Sequence, residues 1–468
     1  MARQKLSLKE KFAYGLGDMA SNIVYQAVIN VLMYFYTDVY GIEAAAAGTL
    51  MIAVRFFDAI IDPIMGAVAD RTRTKWGRYR PWMLWFAIPY GILAVAAFIT
   101  PNVALGVKLV YAYISYGLLM TAYTAVNIPY SALAGVMTSD KDERSGLQSW
   151  RFGMAMVGGF LVTVSVWPLS RLLGGGGKPE NLQLGFPFAV TLLAILGVIA
   201  LFGCFAWTKE RIYPDEKGNA TKATVFEDLH AMFRNSQWLI VTLSMLIIQI
   251  RGGLQGNVKP YFIKYYVHHD LTGIFGITEN FMALYMGLTM LAGVAGVFAA
   301  NRLFLKLEWC KVTVMKTALL GSLLPNGLLL FVPREWWQAS LLLIMLANFF
   351  HMMFLPLLFA AIPDTVDFGL KTIGRGAMAM FFAGQLFALK MGISIGGGCA
   401  GWILAMFGYK ANLAQTDRSL LGIKLAFAGG PLVAAVLVVI LLHFYKLKKG
   451  WEHNEVLVPR QADVAGNA

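Results

Sequence analysis

The sequence predicts an all-α membrane protein: twelve transmembrane helices in two six-helix bundles, with the N- and C-termini in the cytoplasm. Three observations carry that reading. Hydrophobic residues make up 58% of the 468-residue chain and charged residues only 14%, where a soluble chain carries about a quarter. Apolar runs of bilayer-spanning length, about 20 residues, recur from end to end. Most of the 39 Lys and Arg also fall in the segments that twelve crossings from an inside N-terminus place in the cytoplasm, which is the positive-inside rule.

The expected spans are 12–38, 46–68, 82–100, 106–135, 149–171, 186–207, 237–267, 279–303, 312–332, 337–362, 376–407 and 420–445. The first follows the basic stretch "MARQKLSLKEK", yet it holds Asp18 and lacks a small-residue cleavage site, so it reads as a retained span and not a signal peptide. Between spans two and three lies "GAVADRTRTKWGRYRPW", Gly66 to Trp82, in which a small residue permitting close helix approach precedes an acid and a basic cluster. The loop "GGGGKPE", Gly174 to Glu180, places glycines before a lysine. Pro179 follows where a phosphate-cradling loop needs Ser or Thr, so it reads as a connector.

The polar stretch from Thr208 to Trp238 divides the chain, and Thr224 to Arg234 within it reads as an amphipathic segment on the membrane face. The expected domains are therefore a bundle at 1–207, a cytoplasmic middle loop at 208–236, a second bundle at 237–445 and a cytoplasmic tail at 446–468. Spans four and ten end in "NIPYSALAGVMTSDKDER" and "FLPLLFAAIPDTVDFG", and spans one and seven in "YFYTDVYGI" and "YFIKYYVHHDLTGI". Such likeness six spans apart fits a parallel repeat about an axis along the membrane normal. The glycines of "SIGGGCAGW" in span eleven suit close helix packing.

Several classes are disfavoured. The net charge of +13 follows topology and does not imply nucleic acid. Cys204, Cys310 and Cys399 show no metal or disulfide spacing, and no cofactor is expected. A membrane enzyme would need a catalytic acid or metal cluster at the interface, and a sensor a soluble signalling domain; neither is evident. A lipid or lysolipid transporter would need a strongly apolar cleft, against which the polar residues within the spans argue.

Those residues carry the chemistry. In "RFFDAIIDPIMG", Asp58 and Asp62 are four apart and share a helix face with Arg55. Two carboxylates close together in low dielectric cannot both stay ionised without a cation, supplied by Arg55, a proton or a metal ion such as Na⁺. The bland alternative is a permanent Arg–Asp pair, which leaves one Asp spare. Span one also carries Asp18 and Asn22, and span four Tyr123, Thr124 and Asn127. Arg151 opens span five, Arg251 and Lys259 lie in span seven, and Gln385 and Lys390 in span eleven. These residues are expected to face a watery cavity, whereas His351 reads as a packing residue. Groups that both donate and accept suit sugar hydroxyls.

The motifs "YGLGDMASN", "RFFDAIIDPIMG", "DRTRTKWGRYRPW", "YTAVNIPYSAL", "QSWRF", "IPDTVDFG" and "LKMGISIGGG" together resemble the glycoside–pentoside–hexuronide:cation symporters, the melibiose permease-like branch of the major facilitator superfamily. The resemblance covers essentially the whole chain. It implies a bacterial inner-membrane sugar transporter, working as a monomer by alternating access, with no chemistry performed on the substrate. Asp58 and Asp62 match the paired cation-site aspartates, and Thr124 a hydroxyl near them. Asn22 and Asn127 stand where the family has sugar-binding aspartates, Arg151 matches a sugar-site arginine, and Lys390 a lysine near both sites. Gly66, Asp70, Arg71, Gly77 and Arg78 match the inner gating motif, and Arg73 and Arg80 are expected to assist in closing that gate.

Two departures inform the expectation. Ile61 stands where a Na⁺-using relative has a side-chain amide, and it donates no oxygen to a metal; this favours H⁺ over Na⁺. Span charges of Asp18, Asp58 and Asp62 against Arg55, Arg151, Arg251, Lys259 and Lys390 leave a positive excess. That excess suits an anionic glycoside, a uronide or a sulfosugar, while the asparagines suit a neutral pentoside or glycoside.

Overall fold

The computed structural model describes residues 5–138, 140–212, 230, 232–267, 281–306, 311–373 and 378–447. They form long helices, relieved by one isolated bridge from Thr74 to Gly77. The helices are α1 (Leu8–Ala27), α2 (Ala44–Arg71), α3 (Arg80–Ala96), α4 (Leu105–Met137), α5 (Lys141–Gly174), α6 (Pro179–Trp207), α7 (Ser236–Tyr261) and α8 (Phe281–Lys306). They continue with α9 (Lys311–Leu329), α10 (Trp337–Ala360), α11 (Ile362–Ile373), α12 (Met378–Met406), α13 (Asp417–Lys424) and α14 (Gly430–His443). π turns prolong α1 at Val28–Leu32 and Phe35–Val39, α7 at Phe262–Val267 and α13 at Leu425–Gly429.

Among the described residues, ten helices are long and apolar enough to cross a membrane, against the twelve expected. α3 has 17 residues and falls short on length, and charge at Lys9, Glu10, Lys11 and Asp18 dilutes α1. The tenth expected span breaks at Ala361, and α11 carries "IPDTVDFG" onward to Ile373. Most of the expected amphipathic segment, and all of the tail after Leu447, lie outside the described residues.

The chain forms two units. The first holds Met1–Gly218 with Lys259–Gly287 and Gly397–Leu420; the second holds Asn219–Val258, Leu288–Gly396 and Leu421–Ala468. In the first, α1 opens on a capping box, in which Ser7 Oγ accepts the Glu10 N–H and Glu10 accepts the Ser7 N–H, so two N–H groups that lack helical partners are satisfied. α1 then packs on α5, close enough that a Cβ on Gly158 would stand 2.6 Å from Met19 O. Tyr14 and Tyr130 stack at 4.8 Å between α1 and α4. Two ion pairs brace this end: Lys11 with Glu143 at 2.9 Å, and Arg211 with Glu10. The hydrogen bond from Lys11 holds the Glu143 carboxyl below its usual range. Partial burial pushes the Glu10 carboxyl up, but hydrogen bonds from Arg211 and Ser7 outweigh it and the net direction is down.

The second unit is built on Trp238, Met245 and Ile248 of α7, Met315 and Ala318 of α9, Phe354 and Leu358 of α10, and Val438 of α14. The glycine stretch of α12 bears out the packing expectation. A Cβ on Gly396 would stand 2.6 Å from Leu254 N of α7, and one on Gly401 would stand 2.7 Å from Gly48 Cα of α2. Many large side chains stay exposed along the helices, among them Phe56, Ile60, Ile64, Ile88 and Ile92. Surface this apolar is stable only where lipid, not water, covers it.

Candidate functional site

α2 places Asp58 and Asp62 one turn apart, and α4 brings Thr124 against both. Its Oγ1 lies 2.7 Å from Asp58 Oδ1 and 3.0 Å from Asp62 Oδ1. Asp58 and Thr124 are each 1% exposed, while Asp62 is half-buried. A hydroxyl carries a single hydrogen, so it cannot serve two carboxylates fully at once. A proton on one Asp resolves the conflict: that Asp donates to Thr124 Oγ1, and Thr124 donates to the other. Ile61 is half-buried between them in sequence and supplies no oxygen.

Arg55 engages aromatic partners as well as feeling the charge of Asp58. Its Nε donates to Tyr116 Oη at 3.1 Å, and its guanidinium lies 5.0 Å over the Tyr25 ring. Tyr25 stacks in turn on Tyr123 at 5.4 Å, and Asn127 Nδ2 donates to Tyr123 Oη at 2.8 Å. The Asn127 Oδ1 is buried with no hydrogen-bond partner among the described residues. Arg151 Nε bonds Asp18 Oδ2 at 3.2 Å, its Nη2 reaches Ser131 Oγ at 3.3 Å, and its guanidinium covers the Tyr130 ring. Asn22 turns its amide onto its own helix, donating to Asp18 O at 3.0 Å. The first unit thus gathers nine of the expected residues on α1, α2, α4 and α5: Asp18, Asn22, Arg55, Asp58, Asp62, Tyr123, Thr124, Asn127 and Arg151.

The second unit holds Arg251 and Gln385 buried, Lys390 half-buried and His351 buried on α10. Gln385 Oε1 accepts from Thr242 at 3.0 Å, and its Nε2 has no partner among the described residues. Arg251 is 2% exposed, with Nε and Nη2 likewise unpartnered among them. Lys259, half-buried near the end of α7, groups with the first unit. The pairing of Arg151 with Asp18 removes one charge of each sign, so the positive excess counted from the sequence is unchanged by it.

Two features of the segment from Gly66 to Trp82 were not expected. A Cβ on Gly66 would meet only Ile128 Cγ2, at an ordinary 3.9 Å, so no tight helix crossing requires that glycine here. Arg80 donates to Phe205 O at 2.6 Å and covers the Phe205 ring, tying α3 to α6. Gly77 is demanded by its φ of +113°, and Tyr79 Oη donates to Asp70 Oδ1 at 2.7 Å. Arg71 and Arg73 are exposed, and Arg78 is half-buried.

Glu210, unremarked in the sequence, organises this loop: its carboxylate accepts the N–H groups of Arg78 and Tyr79 at 2.8 Å and of Arg80 at 2.9 Å. A carboxylate at the start of α3 also meets the positive end of the helix dipole. Hydrogen bonds to a charged acceptor contribute about 1.5–3 kcal/mol. Glu210→Ala is therefore expected to lower the melting temperature in detergent and to hasten proteolysis within the loop, while Glu210→Gln keeps part of both. Unchanged proteolysis in Glu210→Ala would refute this role. Tyr25, Tyr116 and Ser131 were missed as well; only a tyrosine one turn from Asn22 hinted at the first.

The family described as MFS/sugar transport protein matches residues 13–449. The inner membrane symporter YicJ of Escherichia coli (strain K12) is 38% identical over 453 residues, 95% of this chain and 93% of that one. The isoprimeverose transporter of Lactiplantibacillus pentosus is 32% identical over 444 residues, 94% of this chain and 89% of that one. Among solved structures, the nucleoside transporter NupG superposes with a TM-score of 0.64 at 15% identity, covering 93% of this chain and 100% of that chain. At that identity the likeness speaks for the fold alone.

Proposed function

Because the chain belongs to the MFS/sugar transport protein family, in its glycoside–pentoside–hexuronide:cation symporter branch, we propose that it imports a sugar or glycoside by symport with a proton. It is a multi-pass transporter of the bacterial inner membrane and not an enzyme. Our reading gives the chain twelve spans, six before and six after the 208–236 loop, with both termini cytoplasmic and a monomer completing the cycle. The single observation that carries proton coupling is the Thr124 hydroxyl set between Asp58 and Asp62. That geometry is satisfied by one added proton, and Ile61 offers no ligand to a metal.

In this scheme protonation neutralises the pair and favours sugar bound nearby, against Tyr25, Tyr123, Asn127 and Arg151. Linkage makes the coupling reciprocal: the sugar raises proton affinity by the same factor. Lys390 and Gln385 are the second unit's own candidates for coupling and substrate binding, and Gly66, Asp70, Arg71, Gly77 and Arg78 serve the inner gate. An anionic substrate is a second reading that Arg251 favours. A buried guanidinium is costly without a counter-ion, and a uronate or sulfonate would provide one.

The test is substrate-induced pH change in energy-depleted cells, with and without Na⁺, across neutral glycosides, uronides and sulfosugars. External alkalinisation with one sugar, independent of Na⁺, is the expected result. Uptake that requires Na⁺ and gives no pH signal would overturn proton coupling and establish a Na⁺-coupled glycoside symporter. Uptake of neutral sugars only would remove the anionic reading.

A further inference from the structure

We propose that Asp38 and Lys264 form the latch of the outer gate, an inference that rests on the transport reading above. The Asp38 side chain is fully buried, and donors from separate parts of the chain converge on it. Lys264 Nζ reaches Oδ1 at 2.8 Å, Tyr409 Oη reaches Oδ2 at 2.5 Å, Thr37 Oγ1 bonds Oδ2 at 2.8 Å, and Tyr265 Oη also bonds Oδ1. Asn412 Nδ2 caps the Asp38 carbonyl at 2.5 Å. Lys264 is held in turn by Tyr34 Oη at 2.7 Å and Asn412 Oδ1 at 2.8 Å. The partners come from the end of α1, the π turn after α7 and the link after α12, all within the first unit.

Two further observations place this knot on the transport path. Asp18, Asn22, Gln26, Asn30, Tyr34 and Asp38 recur every four residues. On a regular α-helix each step of four overshoots a full turn by roughly 40°, so the stripe would wind off one face. The wider π turns at Val28–Leu32 and Phe35–Val39 act against that drift. Asn30 Nδ2 donates to Gln26 Oε1 at 3.0 Å, so the polar stripe runs from the Arg151-paired Asp18 up to the knot. The two duplicated segments, "YFYTDVYGI" and "YFIKYYVHHDLTGI", also supply the acid and the base respectively.

A buried ion pair is weak evidence of stability and is better suited to a switch. Opened to the outside, Asp38 and Lys264 each regain water, so the latch releases at far lower cost than in a dry interior. α2 also meets α12 through Gly48, Gly398 and Gly401, where a Cβ on Gly398 would run into Ile52 Cδ1 and lie 3.1 Å from Gly48 O.

The test uses the full chain in membrane vesicles, with Cys204, Cys310 and Cys399 replaced by Ala and Asn30→Cys as reporter. A membrane-impermeant maleimide is applied to right-side-out and to inside-out vesicles. Lys264→Gln, Asp38→Asn and the double variant, which leaves no unpaired buried charge, are each expected to speed labelling from outside about tenfold and to slow it from inside. Lys264→Arg should keep the slow outside rate. An outside rate unchanged in the double variant would overturn the latch. So would an equal rise from both faces, because that reports a loosened bundle. The readout needs neither sugar nor cation, so the latch and the transport reading fail separately.

Discussion

Asp62→Asn is expected to abolish concentrative uptake, lowering accumulation by about a hundredfold, the scale of strong site-to-site coupling, while exchange of labelled sugar across the membrane partly survives. The substitution is nearly isosteric and still presents an oxygen to Thr124, so the local packing around α2 and α4 is kept. What it removes is the ability to take up and release a proton. With residue 62 permanently neutral, Thr124 donates to Asp58 alone and the site has lost one of its two carboxylates. Sugar then moves without an obligatory ion, and the gradient no longer drives it. Asp58→Asn should have the same sign with a larger effect on protein yield, since Asp58 is 1% exposed and sits deeper in the packing. The measurement is uphill uptake beside counterflow in proteoliposomes. Full concentrative uptake by Asp62→Asn would remove the pair from the coupling machinery.

What the sequence made legible was local. Spacings of four on one helix put Asp58 beside Asp62, and charge dispersal along the chain gave the membrane architecture. The glycine run in α12 announced close contact. Interactions across helices were not legible, because neither residue of such a pair alters the pattern around the other. Arg151 meets Asp18 across 133 positions and Lys264 meets Asp38 across 226, and Glu210 holds a loop 130 to 132 positions away. Arg55 shows what spacing leaves open. Its place on the aspartate face keeps it within electrostatic reach of Asp58, but a long side chain reaches in several directions, and Tyr116 and Tyr25 engage it too. The π turns were invisible for a different reason: in a helix apolar on nearly every side, no hydrophobic period remains from which to read the turn width.

Arg151→Gln is the second severe variant, and its double with Asp18→Asn decides what the pair is for. Removing the guanidinium leaves the Asp18 carboxylate, 7% exposed, without its 3.2 Å partner. Orphaning a buried charge in this way costs about 3–5 kcal/mol. Arg151→Gln should therefore lower both the melting temperature and uptake. The double variant removes both charges and restores an amide–amide hydrogen bond, so its melting temperature should return most of the way. Sugar binding should not return, because the Arg151 donors set beside Ser131 and Tyr130 are gone. A double variant that is stable and still fails to bind sugar assigns Arg151 to recognition. If it both folds and transports, the ion pair only braces α1 against α5, and recognition must then rest on Tyr25, Tyr123 and Asn127, whose buried Oδ1 still lacks a partner among the described residues.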